Sequence, residues 1–128
     1  MCLLDEVESW SAHDLVARSR SHLAPDNPLR RNGRLALVCG AEYAFQAAAL
    51  HGALVANRVP QRRGYVAALT LSRLAADRLD DPAHGLLRIQ AMLELNDPAG
   101  LIYGFALSTQ AGTPLLEGRG TIVFPRAL

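Results

Sequence analysis

The spacing of hydrophobic and polar positions changes along this chain. In LLRIQAMLEL, residues 86–95, Leu87, Ile89, Ala91, Leu93 and Leu95 fall on one face and Arg88, Gln90, Met92 and Glu94 on the other. That two-residue repeat predicts a half-buried strand. NDPAG, 96–100, is a turn by composition, and LIYGFALST, 101–109, alternates again with Leu101, Tyr103, Phe105 and Leu107 in register, so the pair predicts a hairpin. QAGTP, 110–114, precedes a third antiparallel strand, LLEGRGTIVF, 115–124. YVAALTLSRL, 65–74, supplies a fourth, and the turn DDPAHG, 80–85, follows it.

Residues 37–56 break this rhythm. They are rich in Ala, Leu, Phe, Glu and Gln with few β-branched residues, which predicts one long helix. Its apolar residues run nearly all round, so it must be covered on most sides. Pro60 and the polar QRRG after it end the helix. Ahead of it, PDNPLRRNG, 25–33, is a loop by turn chemistry. HDLVARSR, 13–20, reads as a strand with Leu15 and Ala17 facing one way and Arg18 and Arg20 the other. The expected fold class is α+β: a strand, a loop, one long helix and four antiparallel strands in a meander. A single sheet with one apolar helix to cover curls around it.

Length and composition narrow the picture. The 128 residues are the size of one domain, 1–128, able to bury one core. No apolar run reaches the length of a spanning helix. No basic region followed by an apolar stretch and a cleavage site opens the chain, so a cytoplasmic location is expected. Cys2 and Cys39 are too few for a disulfide framework and are read as reduced and structural. A formal net charge of +1 argues against a nucleic-acid binder, which needs a strong basic excess. All thirteen basic residues are arginine, and Arg30, Arg31, Arg34, Arg58, Arg62 and Arg63 flank the helix. These are either solvated loops or a positive patch suited to an anionic partner.

One carboxylate, Glu42, lies inside the apolar run GAEYAFQAAALHG, 40–52. Gln46, one turn on, shares its face. His51, nine residues on, lies about 180° round the helix, so the two cannot act together within one helix. Glu42 is either a buried carboxylate raised into the range of acid–base work or a first-turn residue complementing the helix dipole. His13, beside Asp14, is read as solvated, His84 as a turn residue, and His51 as packed. Asp77, Asp80 and Asp81 form no ligand set with a histidine, so no metal is assigned.

EYAFQA, 42–47, resembles the Glu-Ala-Met-Ala-Gln-Ala segment of the small bacterial 3-hydroxyacyl-[acyl-carrier-protein] dehydratases, a hotdog-fold family. MCLLDEV resembles that family's first strand and NPL, 27–29, its Asn-Glu-Pro-Phe-Phe loop. SHLAPDNPLR, GAEYAFQA and HGAL together are similar to a divergent branch associated with aryl polyene biosynthesis. Met1 to Asp5 falls inside the family's first strand, so the family's leading helix is either lacking or encoded ahead of an internally assigned start.

The resemblance implies a long central helix wrapped by a curved antiparallel sheet, and a site shared by two subunits. Glu42 matches the family's catalytic carboxylate and Gln46 its glutamine. The position of the family's loop histidine holds Pro28, which leaves His22 as the candidate partner if the loop is rearranged. Ala36-Leu37 replaces the family's Pro-Gly, placing the backbone oxyanion donor at Leu37 or nearby. The resemblance further implies acyl carrier protein as partner, with its phosphopantetheine as the only carrier group and no cofactor of the protein's own. Arg30, Arg31, Arg34, Arg62 and Arg63 would meet it. A homodimer is expected, or a heterodimer with a paralogue. The expected activity is 3-hydroxyacyl dehydration; the alternatives are an acyl thioesterase of the same fold and a non-catalytic subunit of an active dehydratase.

Overall fold

The computed structural model describes residues 2–56 and 64–125. The predicted helix stop at Pro60 and the arginines at 58, 62 and 63 lie outside them. Within the described residues the chain runs β1 (Glu6–Trp10), β2 (Asp14–Ser19), α1 (Gly40–Val55), β3 (Tyr65–Leu74), β4 (Leu87–Asp97), β5 (Gly100–Ser108) and β6 (Pro114–Val123). The strands form one antiparallel sheet in the order β1-β2-β4-β5-β6-β3, and α1 packs against it. No described helix is long and apolar enough to cross a membrane.

The expected meander holds only for β4, β5 and β6. β3 pairs with β6 through Tyr65↔Val123 to Leu74↔Leu116, while β4 pairs with β2 through Leu15↔Ala91 and Ala17↔Ile89. Alternation tells which face a side chain takes and says nothing about which strand lies beside it. β1 is an addition to the strands predicted from alternation. Its sequence EVESW is exposed throughout, as an edge strand permits.

Alternation holds in β4 as far as Leu93, with Leu87, Ile89 and Ala91 buried. The register then shifts between Leu93 and Leu95, and Leu95, expected inside, is 49% exposed. A bulge adds one residue and turns the following side chains over. β4 and β5 also run further into NDPAG than expected, leaving only residues 98–99 as the turn.

The helical segment is in two parts. Leu37–Cys39 is a 3-10 turn, and α1 proper begins at Gly40. A Cβ there would lie 2.9 Å from Leu107 Cδ2, so the missing side chain lets the helix start close to β5. Tyr43, Ala44, Ala47 and Ala48 continue the contact and join Leu15, Ile89, Phe105 and Leu116 in the core. The loop before the helix contains an Asn32-Gly33 turn, both residues at positive φ, closed by reciprocal Arg31–Arg34 backbone hydrogen bonds of 2.8 and 3.0 Å.

Gly118 in β6 sets a limit on packing. A Cβ there would stand 2.4 Å from the Thr70 carbonyl oxygen and 2.9 Å from Phe105 Cζ. Gly118→Ala is therefore expected to lower stability by roughly 2 kcal/mol, read as a shift of the urea midpoint.

Candidate active site

The start of α1 is anchored by a buried chain of hydroxyls. Asn27 Nδ2 donates to Tyr43 Oη at 3.1 Å, the Tyr43 hydroxyl lies 2.7 Å from Ser21 Oγ, and Ser21 Oγ donates to the Leu3 carbonyl at 2.7 Å. Because the Leu3 carbonyl only accepts, the Ser21 proton goes there and Tyr43 donates to Ser21. Burial pushes the Tyr43 phenol up, partly offset by Ser21 and Asn27, so it stays a donor. This lattice fixes the residue next to Glu42 and with it the carboxylate's position.

Glu42 lies in the first turn of α1, exposed in the single chain, with no ion pair among the described residues. Of the two readings of that carboxylate, the first-turn position of the second is the one observed, and burial would need a second subunit. Gln46 lies on the same face, and its Oε1 accepts from Leu3 N–H at 2.7 Å, tying the amino-terminal segment to the helix. The Leu37 amide, expected as an oxyanion donor, is directed inward to the Asp77 carbonyl at 3.4 Å, and Leu37 is 3% exposed. Among the described residues the amide of the next residue, Val38, donates to no loop or strand carbonyl, and Val38 is 50% exposed. Val38 is thus the better placed backbone donor at the helix start.

His22 is fully buried, and among the described residues neither ring nitrogen has a hydrogen-bond partner of good geometry, the Gly85 backbone being the polar group that acts on it most strongly. Burial pulls its pKa down to about 4; the nearby Gly85 backbone and Asp80 offset part of this, while His84 and Arg30 add to it. The imidazole is therefore neutral at pH 7 and enclosed, and no contact joins it to Glu42. Beside it, Asp80 accepts from Arg30 Nη1 at 2.8 Å and from Arg78 Nε and Nη2, each at 2.8 Å. The Arg78 guanidinium is the largest influence holding the Asp80 carboxyl far below the usual carboxylate range. Arg30 also donates to the carbonyls of Ala24, Gly33 and His22. It clamps the loop, so its charge is not presented to solvent as the patch expectation required. Arg31 and Arg34 are exposed, make no ion pair among the described residues, and line a cavity of about 150 Å³ with Cys39 and Asp77. Arg62 and Arg63 lie outside the described residues. Cys2 and Cys39 are free, and His13 is exposed.

Sequence reasoning missed the groove along the second half of the helix. Glu42, Phe45, Ala49, Gly52 and Ala56 recur at the spacing of one helix face. Alongside this stripe lie two adjoining cavities, about 240 Å³ between Phe45 and Phe124 and about 260 Å³ beside His51 and Asn96, both bordered by Gly52, Leu101 and Tyr103. The cue was present as a run of Ala and Gly on one face, but the same run suits close packing. At the groove wall, His51 is packed, as expected. Its Nε2 lies 2.9 Å from the Ser11 carbonyl and its Nδ1 2.7 Å from Tyr103 Oη. The carbonyl can only accept, so Nε2 carries the proton and the tyrosine donates to Nδ1. Burial pushes Tyr103 up to about 12.

No protein-family model and no curated protein matches the sequence. Solved structures do. The chain is similar to the dehydratase heterocomplex ApeI:P from Xenorhabdus doucetiae, with a TM-score of 0.79 at 20% identity, covering 98% of this chain and 84% of that one. It is also similar to a hypothetical thioesterase with coenzyme A from Streptococcus pneumoniae, at TM-score 0.64 and 16% identity over 94% and 84% of the two chains. Zebra fish thioesterase superfamily member 2 gives 0.68 and 15% over 94% and 80%. The fold is the hotdog fold, and these neighbours are dehydratases and thioesterases built on it.

Proposed function

We propose that this protein acts on acyl thioesters, dehydrating 3-hydroxyacyl groups delivered by acyl carrier protein, in fatty-acid or polyene-type biosynthesis. The observation that carries this reading is Glu42 on the helix face whose later residues, Phe45, Ala49 and Gly52, border an apolar groove, one turn after a Val38 amide that has no loop or strand carbonyl as partner among the described residues. In this reading the Val38 N–H polarises the thioester carbonyl and acidifies the α-carbon. The Glu42 carboxylate takes the α-proton, the C–O bond at the β-carbon breaks, and the same proton leaves with the hydroxyl as water. Phosphopantetheine arrives with the carrier, and Arg31 and Arg34 face its phosphate.

A second subunit completes the site. Among the described residues β3 pairs with β6 alone, and Tyr65, Val66, Leu69 and Leu74 are 66%, 54%, 41% and 54% exposed. A ten-residue apolar edge with neither Pro nor Lys is a template for another strand. The second copy is this chain or a paralogue; the similar Xenorhabdus structure is a dehydratase heterocomplex. Leu69→Lys is expected to move the dimer towards monomer in sedimentation and to lower turnover with it.

Enclosure of His22 favours one rival reading, an acyl thioesterase. There Glu42 takes a proton from water, hydroxide adds to the carbonyl, and the thiol departs with that proton. Incubation with a 3-hydroxyacyl carrier-protein thioester, followed by product mass, separates the two. Loss of water supports dehydration and release of free acid supports hydrolysis. Activity that appears only on adding a paralogue supports a partner-subunit role. Arg31→Glu with Arg34→Glu is expected to raise KM for the carrier-borne substrate about tenfold, with little change for an acyl-pantetheine and a steep loss of the difference at high salt.

A further inference from the structure

Two guanidinium groups stand side by side on the sheet face turned away from α1. Arg18 of β2 and Arg88 of β4 are direct partners in the antiparallel register, and their chain neighbours Ala17, Leu87 and Ile89 are buried in the core. Alternation therefore sends both arginines to the outer face, with Cβ atoms roughly 5 Å apart. Like charges so placed repel, and one carboxylate serves both. Glu8 Oε1 accepts from Arg18 Nη2 at 2.7 Å, and Glu8 Oε2 lies 3.5 Å from Arg88 Nε. Glu6, opposite Arg18 in β1, adds a weaker attraction. No hydrogen bond joins the two Arg88 Nη groups to another described residue.

Beside this pair opens a cavity of about 280 Å³, lined by Arg18, Leu86, Leu87, Arg88 and Gln110. Glu6 and Glu8 are not part of that lining, so its charge is positive. Gln110 is fixed at the rim. Its backbone N–H donates to the His84 carbonyl at 3.0 Å, and its Oε1 accepts from Leu86 N–H at 3.1 Å. A carboxamide facing an N–H presents its oxygen, which leaves the Gln110 NH2 as a donor. Every polar side chain of the lining therefore has donors to offer, and none is a carboxylate.

We infer that this cavity binds a phosphate group, free or as a small monoester, through Arg18, Arg88 and Gln110. A tetrahedral oxyanion has oxygens enough to meet two guanidinium groups and an amide, whereas a carboxylate fills a single fork. Glu8 orients both arginines from behind without entering the cavity. The site shares no lining residue with the cavity of Arg31 and Arg34 and does not depend on the acyl-thioester reading.

The test follows amide chemical shifts of the full chain by NMR as inorganic phosphate, glycerol 3-phosphate or acetate is added at constant pH and ionic strength. Phosphate is expected to shift Leu86, Arg88 and Gln110 with a Kd of about 1 mM, and acetate to bind at least about tenfold more weakly. Glycerol 3-phosphate binding as well as phosphate supports a monoester as occupant, and binding of phosphate alone supports the free ion. Arg88→Met and Gln110→Glu should each weaken binding about tenfold. Gln110→Glu keeps the acceptor for Leu86 N–H, so it carries the test if Arg88→Met fails to fold. Arg119→Met, on the same outer face, should leave binding unchanged. Shifts confined to Leu29 and Cys39 at the other cavity, or none with any probe, would overturn the inference. So would acetate binding as tightly as phosphate, or equal weakening by all three substitutions, which marks diffuse charge attraction.

Discussion

Glu42→Gln is expected to reduce turnover of a 3-hydroxyacyl thioester by about 10²–10⁴-fold, the usual contribution of a positioned general acid–base group. Stability should change by less than about 0.5 kcal/mol, because Glu42 is exposed and supports no ion pair among the described residues. Gln keeps the shape and loses the proton chemistry, so the two readouts separate a reacting carboxylate from a helix-dipole residue. The measurement is product mass over time, with urea midpoints for both proteins. Undiminished turnover in the variant would remove Glu42 from the mechanism and make the dipole reading sufficient. The same substitution bears on both dehydration and hydrolysis, since each routes its proton through this side chain.

The second large effect concerns His22 and acid. A histidine buried neutral, with its pKa at about 4 in the fold, must gain a proton on unfolding once the pH drops below the unfolded value near 6.5. The unfolded chain then binds more protons than the folded one, so stability falls as pH falls from about 6.5 to 4, by roughly 3 kcal/mol in total. Asp80 beside it works in a lower window. Its depressed carboxyl contributes stability that is present above the usual carboxylate pKa and lost only under stronger acid. His22→Leu should change stability little at pH 7, since neither ring nitrogen has a hydrogen-bond partner of good geometry among the described residues, and should flatten the loss between pH 6.5 and 4. Urea unfolding of both proteins at pH 7, 6, 5 and 4 measures this. Parallel curves would show that His22 does not drive the acid limb. Turnover decides its other candidate role: retained activity leaves His22 to the fold, whereas lost activity with unchanged stability makes it the partner of Glu42.

The two histidines show how far sequence reasoning reaches. His51 lies opposite Glu42 by helical geometry alone, and its packing follows because that side of α1 faces the sheet. His22 falls in a 3-10 turn after β2, where no period applies. Its surroundings include Arg30 from the loop just after it and Asp80, His84 and Gly85 from a loop far along the chain. Arg30 illustrates the same limit. In sequence it belongs to a basic cluster with Arg31 and Arg34, and only folding brings Asp80, fifty residues away, to its guanidinium.

The sequence by itself determined the elements and the polarity of their faces. Alternation in 86–95 and 101–109, the strand segments 65–74 and 115–124 set off by turns, and the Ala-rich run after residue 37 are local patterns, and each became a strand or helix at nearly the expected place. It also placed Glu42 and Gln46 on one face, because 100° per residue requires no partner to hold. Tertiary structure alone decided that β3 lies beside β6, that the Leu37 amide is bonded to the Asp77 carbonyl, and that a stripe of small residues becomes a groove. Each of those outcomes depends on which surfaces meet across long chain separations. A periodic pattern records that a face is apolar, and only packing selects what covers it.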